Sequence, residues 1–267
     1  MRRAETITSP ANPLVKDVRR AIARGGLTAQ RLCVAETFHL LEEALRSDCQ
    51  VRYVLAAESV HSAAEKHVRR LAGIQVLVLP DALFQTLSGT ETSQGVMALV
   101  KPPIWDLEQL FRGRPLVVIL DGLQDPGNAG SIVRAAEAFG ATGVLFLKGA
   151  VSPYNPKTLR ASAGSLFRLP FLPALDPALA RAALAQHRVE LYAGLPARNG
   201  ETRPLATADL ARPCGLVIGN EAHGVGAGWR AAAQGLSIPT VGVESLNAAV
   251  AAGILLYEAR RQRALAQ

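Results

Sequence analysis

The second half of this chain alternates short apolar runs with helical patterns, and that alternation limits the folds open to it. Two of the runs, at 115–120 and 215–218, are continuously apolar, which is typical of strands buried on both faces of a parallel sheet. Further strand patterns lie at 143–147, 189–193 and 235–238, and helical patterns lie at 131–139, 177–187 and 247–263. Because strands separated by helices imply right-handed crossovers, the pattern predicts a parallel α/β sheet that binds ligands at the carboxyl ends of its strands.

The first half has the same character on a smaller scale. It opens with an amphipathic helix predicted over 12–24, and four strand patterns alternate with two helical patterns up to residue 100. Lys101-Pro102-Pro103 then interrupts the pattern, because proline cannot donate a hydrogen bond to a sheet. At 267 residues the chain exceeds the usual length of one domain, about 100–200 residues. We therefore expect two α/β domains, over residues 1–105 and 106–267.

Basic side chains are concentrated near the start of the chain. The whole chain has 29 Lys and Arg against 22 Asp and Glu, a formal net charge of +7. Residues 1–31 hold seven of these cations and only two carboxylates, a local excess of +5. Such an excess favours contact with a polyanion, and Arg19, Arg20 and Arg24 on the predicted helix are the candidates. A solvated helix face explains the same charge equally well, so charge alone leaves both interpretations open.

Cysteine and histidine usage argues against several classes of protein. Cys33, Cys49 and Cys214 are never at C-x-x-C spacing, which disfavours a disulfide framework or a thiolate zinc site. Five histidines, none paired at ligand spacing, leave no metal site to predict. The amino terminus lacks an apolar signal segment, and the longest apolar run, 248–257, is too short to span a membrane. We expect a cytoplasmic protein that is neither secreted nor membrane-embedded.

Polar, glycine-rich loops follow three of the predicted strands. The loop 121–130 leads into a helix predicted from residue 131, whose first turn carries Arg134 and whose amino terminus should attract an anion. The loop 219–228 has four glycines, which predicts the close approach of a flat group, but it lacks the G-x-G-x-x-G pattern of a dinucleotide site. The loop 238–247 ends in Ser245-Leu246-Asn247 before an apolar helix. NAD or FAD is therefore disfavoured as the ligand.

Taken together, these loops resemble the three motifs of the SpoU (TrmH-type) RNA 2′-O-methyltransferases in order, spacing and content. The matching residues are Asn128 and Arg134 in the first loop, Gly219-Asn220-Glu221 and Gly224 in the second, and Ile238-Pro239 followed by 244–257 in the third. The segment 153–170 is similar to a family stretch between the first two motifs. Residues 7–13 are similar to the start of the family's L30e-like substrate-binding domain.

The resemblance implies a specific fold and cofactor. The family folds its catalytic half as a SPOUT-type α/β domain with a deep trefoil knot, a rare exception among protein folds. Here that domain is expected over 106–267, preceded by a smaller L30e-like α/β domain that binds the RNA substrate over 1–105. The knot loops of the family bind S-adenosylmethionine, and its active site is completed across a homodimer.

The resemblance also implies roles for individual residues. Those expected to line the cofactor are Ile218, Gly219, Asn220, Ile238, Pro239, Ser245, Leu246 and Asn247. Arg134 would be the catalytic arginine that acts on the ribose hydroxyl. It would be positioned, together with the knot, by Asn128, Glu221, Ser245 and Asn247. Arg160 and Arg168 are expected to continue the RNA-binding surface towards the cofactor.

The implied chemistry suits these residue types. A sulfonium methyl group is already electrophilic, so the site mainly has to hold the 2′-oxygen in line with it, at about 3–3.5 Å. A guanidinium beside the hydroxyl stabilises the developing alkoxide without a metal ion. No cysteine lies in any of the motifs, which disfavours methylation at C5 of a pyrimidine through a thiolate adduct.

The expected substrate is structured RNA, with ribosomal RNA such as 23S favoured because of the L30e-like front domain. One alternative is a tRNA 2′-O-methyltransferase of the same fold, whose usual architecture lacks that domain. Another is a non-catalytic RNA-binding or ribosome-assembly factor, which the intact Asn128, Arg134 and Asn247 argue against. The chain departs from the family where Ala248 and Ala249 follow Asn247, since Val-Ser is common there. We expect activity regardless.

Overall fold

The computed structural model describes residues 5–47, 49–69, 71, 73–89, 92–197 and 202–266. Arg2 and Arg3 of the basic segment lie outside the described residues. The chain divides into two compact units. One is formed by Met1–Ile104 with Pro153–Arg168, and the other by Trp105–Ser152 with Leu169–Gln267. The segment Pro153–Arg168 thus comes from the second half of the sequence but packs with the first unit.

The described residues of the first part of the chain form five strands and four helices, which we number in chain order. The strands are β1 (Glu5–Thr6), β2 (Cys33–Glu36), β3 (Gln50–Ala57), β4 (Gln75–Leu79) and β5 (Val96–Lys101). The helices are α1 (Pro13–Arg24), α2 (Phe38–Arg46), α3 (His61–Val68) and α4 (Asp81–Gln85), with a 3-10 turn at Glu58–Val60.

The second part continues the numbering. Its strands are β6 (Leu116–Asp121), β7 (Gly143–Leu147), β8 (Phe171–Leu175), β9 (Glu190–Gly194), β10 (Arg203–Pro204), β11 (Cys214–Gly219) and β12 (Gln234–Ser237). Its helices are α5 (Leu107–Leu110), α6 (Pro126–Ala138), α7 (Pro156–Ser162), α8 (Pro177–Gln186), α9 (Ala227–Ala232) and α10 (Ala248–Leu265). Two 3-10 turns lie at Ser165–Phe167 and Leu205–Thr207.

The first unit is built on a five-stranded mixed sheet in the order β1-β4-β3-β5-β2. Strand β5 runs antiparallel to both of its neighbours, and the remaining pairs are parallel. Helix α1 buries Val15, Val18 and Ala21 in the core of this unit, so that its cations face solvent. Helix α7, from the segment Pro153–Arg168, packs on β2. The edge strand β2 is therefore covered by a piece of chain that arrives from far along the sequence.

The second unit is built on a seven-stranded sheet in the order β10-β12-β9-β11-β6-β7-β8, and every neighbouring pair is parallel. The predicted parallel α/β fold is confirmed. Strands β6, β7 and β11 are almost wholly buried, as their continuous apolar runs predict. Because all strands point the same way, the loops that follow β6, β9, β11 and β12 emerge at one edge of the sheet.

Helix α6 begins earlier than the sequence pattern predicts. The expected start at residue 131 is wrong, because the helix runs from Pro126 and Arg134 lies about two turns inside it. Asp125 caps the helix, since its carboxylate accepts the Asn128 N–H at 2.6 Å, and proline suits the first helical position. Gly127 and Gly130 give the first turns the composition of a loop, which conceals the helix in the sequence.

Arg263 anchors the carboxyl-terminal helix α10 to the sheet. This side chain is only 6% exposed. Its guanidinium donates to four backbone carbonyls, those of Leu210 at 3.0 Å and of Arg114, Pro115 and Arg212 at 2.7 Å each. Pro115 immediately precedes β6, and Leu210 and Arg212 lie four and two residues before β11. One buried side chain thus joins α10 to the entry points of two central strands.

The described residues contain no helix with the length and apolar character needed to cross a membrane. In the same part of the chain, no group of three or more His, Cys, Asp or Glu side chains is arranged to hold a metal ion. Cys33, Cys49 and Cys214 are free thiols. Burial raises the pKa of the Cys214 thiol to about 11, so this thiol stays protonated at neutral pH.

Candidate cofactor and active site

The candidate site lies where strands β6 and β11 end. These strands are neighbours, and Gly219 at the end of β11 lies opposite Asp121 at the end of β6. The loops 121–130 and 219–228, which carry the first two motifs, therefore start side by side. Parallel strands place their carboxyl ends at one edge, which is why two loops almost a hundred residues apart in sequence meet there.

Asn220 holds these two loops together. Its side-chain NH₂ donates to the Gly122 carbonyl at 2.8 Å. Its side-chain oxygen accepts the backbone N–H groups of Ala222 at 2.9 Å and His223 at 3.0 Å. Asn220 and Gly224 also exchange two backbone hydrogen bonds, which closes the loop into a tight turn. The residue thus has a structural role in the loop as well as a position at the site.

Gly219 has no side chain to cover the backbone at this turn. A methyl group built on its Cα would overlap the backbone of Gly224 and Val225. Backbone cannot move aside as the end of a flexible side chain can, so only glycine fits at this position.

Asp121 is a residue of this edge that the sequence analysis missed. Its carboxylate accepts the Gly226 N–H at 2.7 Å, which fixes the far end of the loop 219–228. A methyl group on Gly226 would lie 3.0 Å from the same carboxylate oxygen, a tight contact that a small shift of the carboxylate would have to relieve. The available signal was a single aspartate that closes an otherwise apolar strand.

A cavity of about 460 Å³ opens at this edge of the sheet. Its lining includes seven of the eight residues predicted to contact the cofactor, namely Ile218, Gly219, Asn220, Ile238, Ser245, Leu246 and Asn247. The eighth, Pro239, is exposed and stands outside the lining. Residues 194–197, at the end of β9, form another part of the wall. Sequence analysis did not identify them, because Gly-Leu-Pro-Ala carries no chemical signal.

Glu221 binds the amino terminus of α6. Its carboxylate accepts the backbone N–H groups of Gln124 at 3.2 Å and Asp125 at 3.1 Å, and the side-chain amide of Asn128 at 3.1 Å. Desolvation by itself would raise the pKa of the Glu221 carboxyl. The bond from Asn128 and the backbone amides outweigh it and hold that pKa below its ordinary value of 4.5. Glu221 is therefore ionised at neutral pH.

These contacts correct the expectation that the start of this helix attracts an external anion. The helix dipole and the free backbone amides do favour negative charge at the start of α6. The charge, however, comes from the chain itself, because Asp125 accepts the Asn128 N–H and Glu221 accepts the Gln124 and Asp125 N–H groups. The two carboxylates thus supply the negative charge that this terminus favours.

Asn247 connects the third motif loop to the first. Its side-chain NH₂ donates to the Asn128 Oδ1 at 3.0 Å. Its oxygen accepts the N–H groups of Ala249 at 2.9 Å and Val250 at 3.3 Å, which caps α10. Since Asn128 also donates to Glu221, the three motifs are joined by a continuous chain of side-chain hydrogen bonds. This chain fixes the relative positions of the loops that line the cavity.

Arg134 differs from the other predicted catalytic residues. It is exposed on α6 and stands outside the cavity lining. Within the described part of the chain, its guanidinium has no hydrogen-bond or ion-pair partner. The structure thus places Glu221, Ser245 and Asn247 in the cavity lining and joins Asn128 to two of them by hydrogen bonds, but leaves Arg134 exposed outside that lining.

The cations predicted to bind RNA fall into two groups, all within the first unit. Arg19, Arg20 and Arg24 are exposed on α1. Arg19 donates to the Thr86 hydroxyl at 3.2 Å, and Arg20 lies 3.8 Å from the Asp17 carboxylate. Exposed contacts of this kind are weak, so these side chains can exchange them for a phosphate.

Arg160 and Arg168 are held by carboxylates of the same unit. Arg160 pairs at 2.7 Å with Glu36, which is 2% exposed, and Arg168 pairs at 2.5 Å with Glu43. Desolvation of Glu43 acts against ionisation, but the bond from Arg168 outweighs it and lowers the pKa of that carboxyl. These ion pairs fasten the segment Pro153–Arg168 to β2 and α2, and each engages one nitrogen of its guanidinium group.

Sequence models of two families match the chain. The model of the SpoU rRNA Methylase family matches residues 115–257, and that of the MRM3-like substrate binding domain matches residues 12–98. The first range contains all three motif loops, and the second coincides with most of the first unit.

Individual relatives agree with this assignment. The chain is 33% identical to the 23S rRNA (guanosine(2553)-2′-O)-methyltransferase RlmP of Bacillus subtilis, over 95% of this chain and 98% of the relative. It is 36% identical to a 23S rRNA (uridine(2479)-2′-O)-methyltransferase of Streptomyces viridochromogenes, over 75% of this chain and 71% of the relative.

Solved structures are similar over almost the whole chain. The SpoU methyltransferase AviRb from Streptomyces viridochromogenes, in complex with the cofactor AdoMet, superposes with a TM-score of 0.84 at 28% identity, covering 95% of this chain and 98% of that one. An AdoMet-bound rRNA methyltransferase from Sinorhizobium meliloti gives a TM-score of 0.81 at 29% identity, covering 97% and 98%. The motif loops, their cavity and these likenesses agree, and the chain belongs to the SpoU rRNA methylase family.

Proposed function

We propose that this protein transfers the methyl group of S-adenosylmethionine to a ribose 2′-hydroxyl of ribosomal RNA, with 23S rRNA as the first candidate. The observation that carries the proposal is the cavity of about 460 Å³ lined by the loops that bear the family's motifs. The relatives described above are named for 2′-O-methylation of 23S rRNA. The match of residues 12–98 to a substrate-binding domain supports a large RNA as the partner.

The cavity suits S-adenosylmethionine in size and in lining. Its volume of about 460 Å³ lies within the range of about 300–1,000 Å³ typical of small-molecule sites. Ile218, Ile238 and Leu246 offer apolar surface, and Gly219, which has no side chain, lets a ligand approach the backbone closely. Glu221 and Glu244 bring two carboxylates to the lining, which suits a ligand with sulfonium and ammonium charges. When bound, the cofactor supplies an activated methyl group.

The residues of this chain then have to orient the ribose and stabilise charge on its oxygen. Arg134 has the chemistry for the second task, since the positive charge of a guanidinium stabilises the negative charge that develops on the 2′-oxygen as the hydroxyl passes its proton to water. Asn128, Glu221 and Asn247 act as positioning residues, because their hydrogen bonds hold α6, which carries Arg134, against the cofactor loops.

A homodimer completes this site in our proposal, because Arg134 stands outside the cavity of its own chain. Apolar side chains exposed in the second unit support this. Among them are Val241 at 99%, Val243 at 56%, Val250 at 51% and Tyr257 at 57% exposure. Val241 and Val243 belong to the third motif loop, and the other two lie on α10, which packs on α6. Exposed apolar side chains of this size are typical of subunit interfaces.

The proposal also includes a knot, a role for each half of the chain and a cellular location. A trefoil knot formed by the carboxyl-terminal segment is supported by family membership and by the packing of α10 on α6 and β11. A division of labour between residues 1–105 and 106–267 is supported by the two family matches, except that the segment Pro153–Arg168 packs with the first unit. A cytoplasmic location is supported by three free thiols, which suit a reducing compartment.

The central experiment incubates the purified protein with radiolabelled S-adenosylmethionine and either a 23S rRNA transcript or a pool of unmodified tRNA. Modified positions are mapped by resistance to alkaline cleavage, which requires a free 2′-hydroxyl. Label in the rRNA supports the proposal, label in tRNA alone supports the tRNA alternative, and cofactor binding without transfer supports a non-catalytic factor.

Arg134 is tested against a matched control. Arg134→Ala should keep S-adenosylmethionine affinity but lose at least about a hundredfold in transfer rate, since it removes a group that stabilises the transition state. Arg112→Ala removes an exposed arginine near the opposite edge of the sheet and should behave like the parent. Transfer by Arg134→Ala at the parental rate refutes the proposed role.

The composite site is tested by mixing two inactive proteins. After subunit exchange between Arg134→Ala and Gly219→Ala, about half of the dimers are mixed and each has one intact site, so about a quarter of parental activity should return. A monomer in solution, or mixed dimers without activity, contradicts a site shared between two chains.

A further inference from the structure

The first unit exposes cations beyond those on α1. Arg31 lies on the tight turn between α1 and β2, where its backbone has a positive φ of 59° and its side chain is exposed. Lys157 is exposed on α7, whereas Pro156 and Thr158 on either side of it are buried. In the part of the chain that the structure describes, neither cation has a carboxylate partner.

The start of α7 lies against the end of α1. Gly25, the left-handed cap of α1, faces Asn155, the capping residue of α7. The two are so close that a methyl group on Gly25 would lie 2.8 Å from Asn155 Nδ2. Arg24, the last residue of α1, is therefore next in space to the first turn of α7, which carries Lys157.

Tyr154 links the turn of Arg31 to the same place. This residue precedes α7 and is half-buried. Burial raises the pKa of its phenol, Cys33 adds to this effect, and the charge of Arg31 opposes it. The phenol thus remains neutral at working pH, and its ring lies near Arg31, which shortly precedes β2, the strand on which α7 packs. An aromatic ring beside a cation suits an unstacked RNA base next to a phosphate.

Helix α1 carries three further exposed cations in a row along one side. Lys16, Arg20 and Arg24 follow at intervals of four residues, so they lie on one side of the helix, and all three are exposed. Asp17 lies beside this row, but its carboxylate is engaged by the Ala29 N–H at 2.9 Å. The row ends where α1 meets α7.

We infer that these cations form one continuous surface that binds phosphates of the RNA substrate. This α1–α7 basic surface consists of Lys16, Arg20, Arg24, Arg31 and Lys157. The inference rests on the proposed function and names the part of the first unit that meets the RNA.

The surface differs from the sequence expectation in one respect. Within the segment Pro153–Arg168, the cation that binds RNA is Lys157, because Arg160 and Arg168 are engaged by Glu36 and Glu43. These two arginines instead hold the segment in place, so that Lys157 and Tyr154 are presented beside α1.

The test measures binding of a 23S rRNA transcript across a salt series. Each phosphate contact that is removed lowers the slope of log affinity against log salt by about one. Arg31→Gln and Lys157→Gln should each lower the slope by about one, and the double variant by about two. Lys157→Arg should restore the parental slope, which distinguishes lost charge from damaged folding. Lys66→Gln removes an exposed lysine on α3, which packs on β3 and β4, and should leave the slope unchanged.

The outcomes separate this inference from the proposed function. If the parent binds the transcript but the double variant keeps the parental slope, the surface is refuted and the function stands. An equal change in Lys66→Gln also refutes the surface, because binding is then spread over the whole unit. If the parent does not bind the transcript, the proposed function fails together with the inference.

Discussion

Replacing Arg263 by methionine tests whether one buried side chain holds the carboxyl-terminal helix to the sheet. Methionine fills much of the volume but donates no hydrogen bonds. The carbonyls of Leu210 and Pro115, both at buried contacts, would lose their donor, as would the less buried carbonyls of Arg114 and Arg212. We expect a clear loss of stability in the second unit, with no direct effect on the cavity residues.

The magnitude follows from the two buried carbonyls. An unsatisfied buried polar group costs about 1–3 kcal/mol, and part of that cost is offset because the guanidinium no longer has to be desolvated. The net loss should be about 3 kcal/mol. With a urea dependence of about 2 kcal/mol per molar, the unfolding midpoint should fall by about 1.5 M.

Tryptophan fluorescence reports on the second unit, which contains Arg263. Both tryptophans of the chain, Trp105 and Trp229, belong to the second unit, so urea unfolding followed by their emission measures that unit. Arg261→Met is the matched control, because Arg261 is two residues away on α10 and forms an exposed ion pair with Glu258. It should change stability by less than about 0.5 kcal/mol. If both variants shift the midpoint equally, the anchoring role of Arg263 is wrong.

Three further predictions concern the cofactor edge. Gly219→Ala should abolish S-adenosylmethionine binding measured by calorimetry, because its methyl group meets backbone, whereas Gly224→Ala meets no neighbouring atom and should cost less, namely the strain of a side chain at its positive φ of 68°. Asp121→Ala should weaken that binding about tenfold by releasing the Gly226 N–H, and Asp121→Asn, which keeps an acceptor oxygen, should recover most of it. The pKa of Glu221 is depressed in the folded chain, so its contribution to stability is full above its ordinary value of 4.5 and declines as the pH falls below that. The stability difference between the parent and Glu221→Gln should therefore shrink on acidification, and a difference independent of pH would contradict the assigned contacts.

Much of the fold was predictable because it depends on local patterns. Apolar runs and helical periodicity located β6, β7 and β11 within a residue or two, and the alternation of strands and helices predicted the parallel sheet. The motif loops were predictable as neighbours, since the carboxyl ends of parallel strands share an edge. The start of α6 was predicted too late, because Gly127 and Gly130 outweighed the capping signal of Asp125.

Contacts between distant residues were not predictable in the same way. Asp121 and Gly226 are a hundred and five residues apart, and the partners of Arg263 lie up to a hundred and forty-nine residues away. The sequence shows only that Asp121 closes an apolar strand, and nothing near Arg263 distinguishes it from an ordinary exposed side chain. Each acquires its role only when strands order the chain so that a charged group meets backbone amides or carbonyls.

The sequence by itself determined the α/β architecture, the two-part organisation of motifs and the family, because these depend on periodicity and on residue types at short spacing. Only the tertiary structure decided which charges are available. Arg160 and Arg168 look like RNA ligands in the sequence, yet Glu36 and Glu43 engage them, while Lys157 is exposed beside α1. The physical reason is that the availability of a charge depends on what packs against it, and those partners come from parts of the chain that only folding brings together.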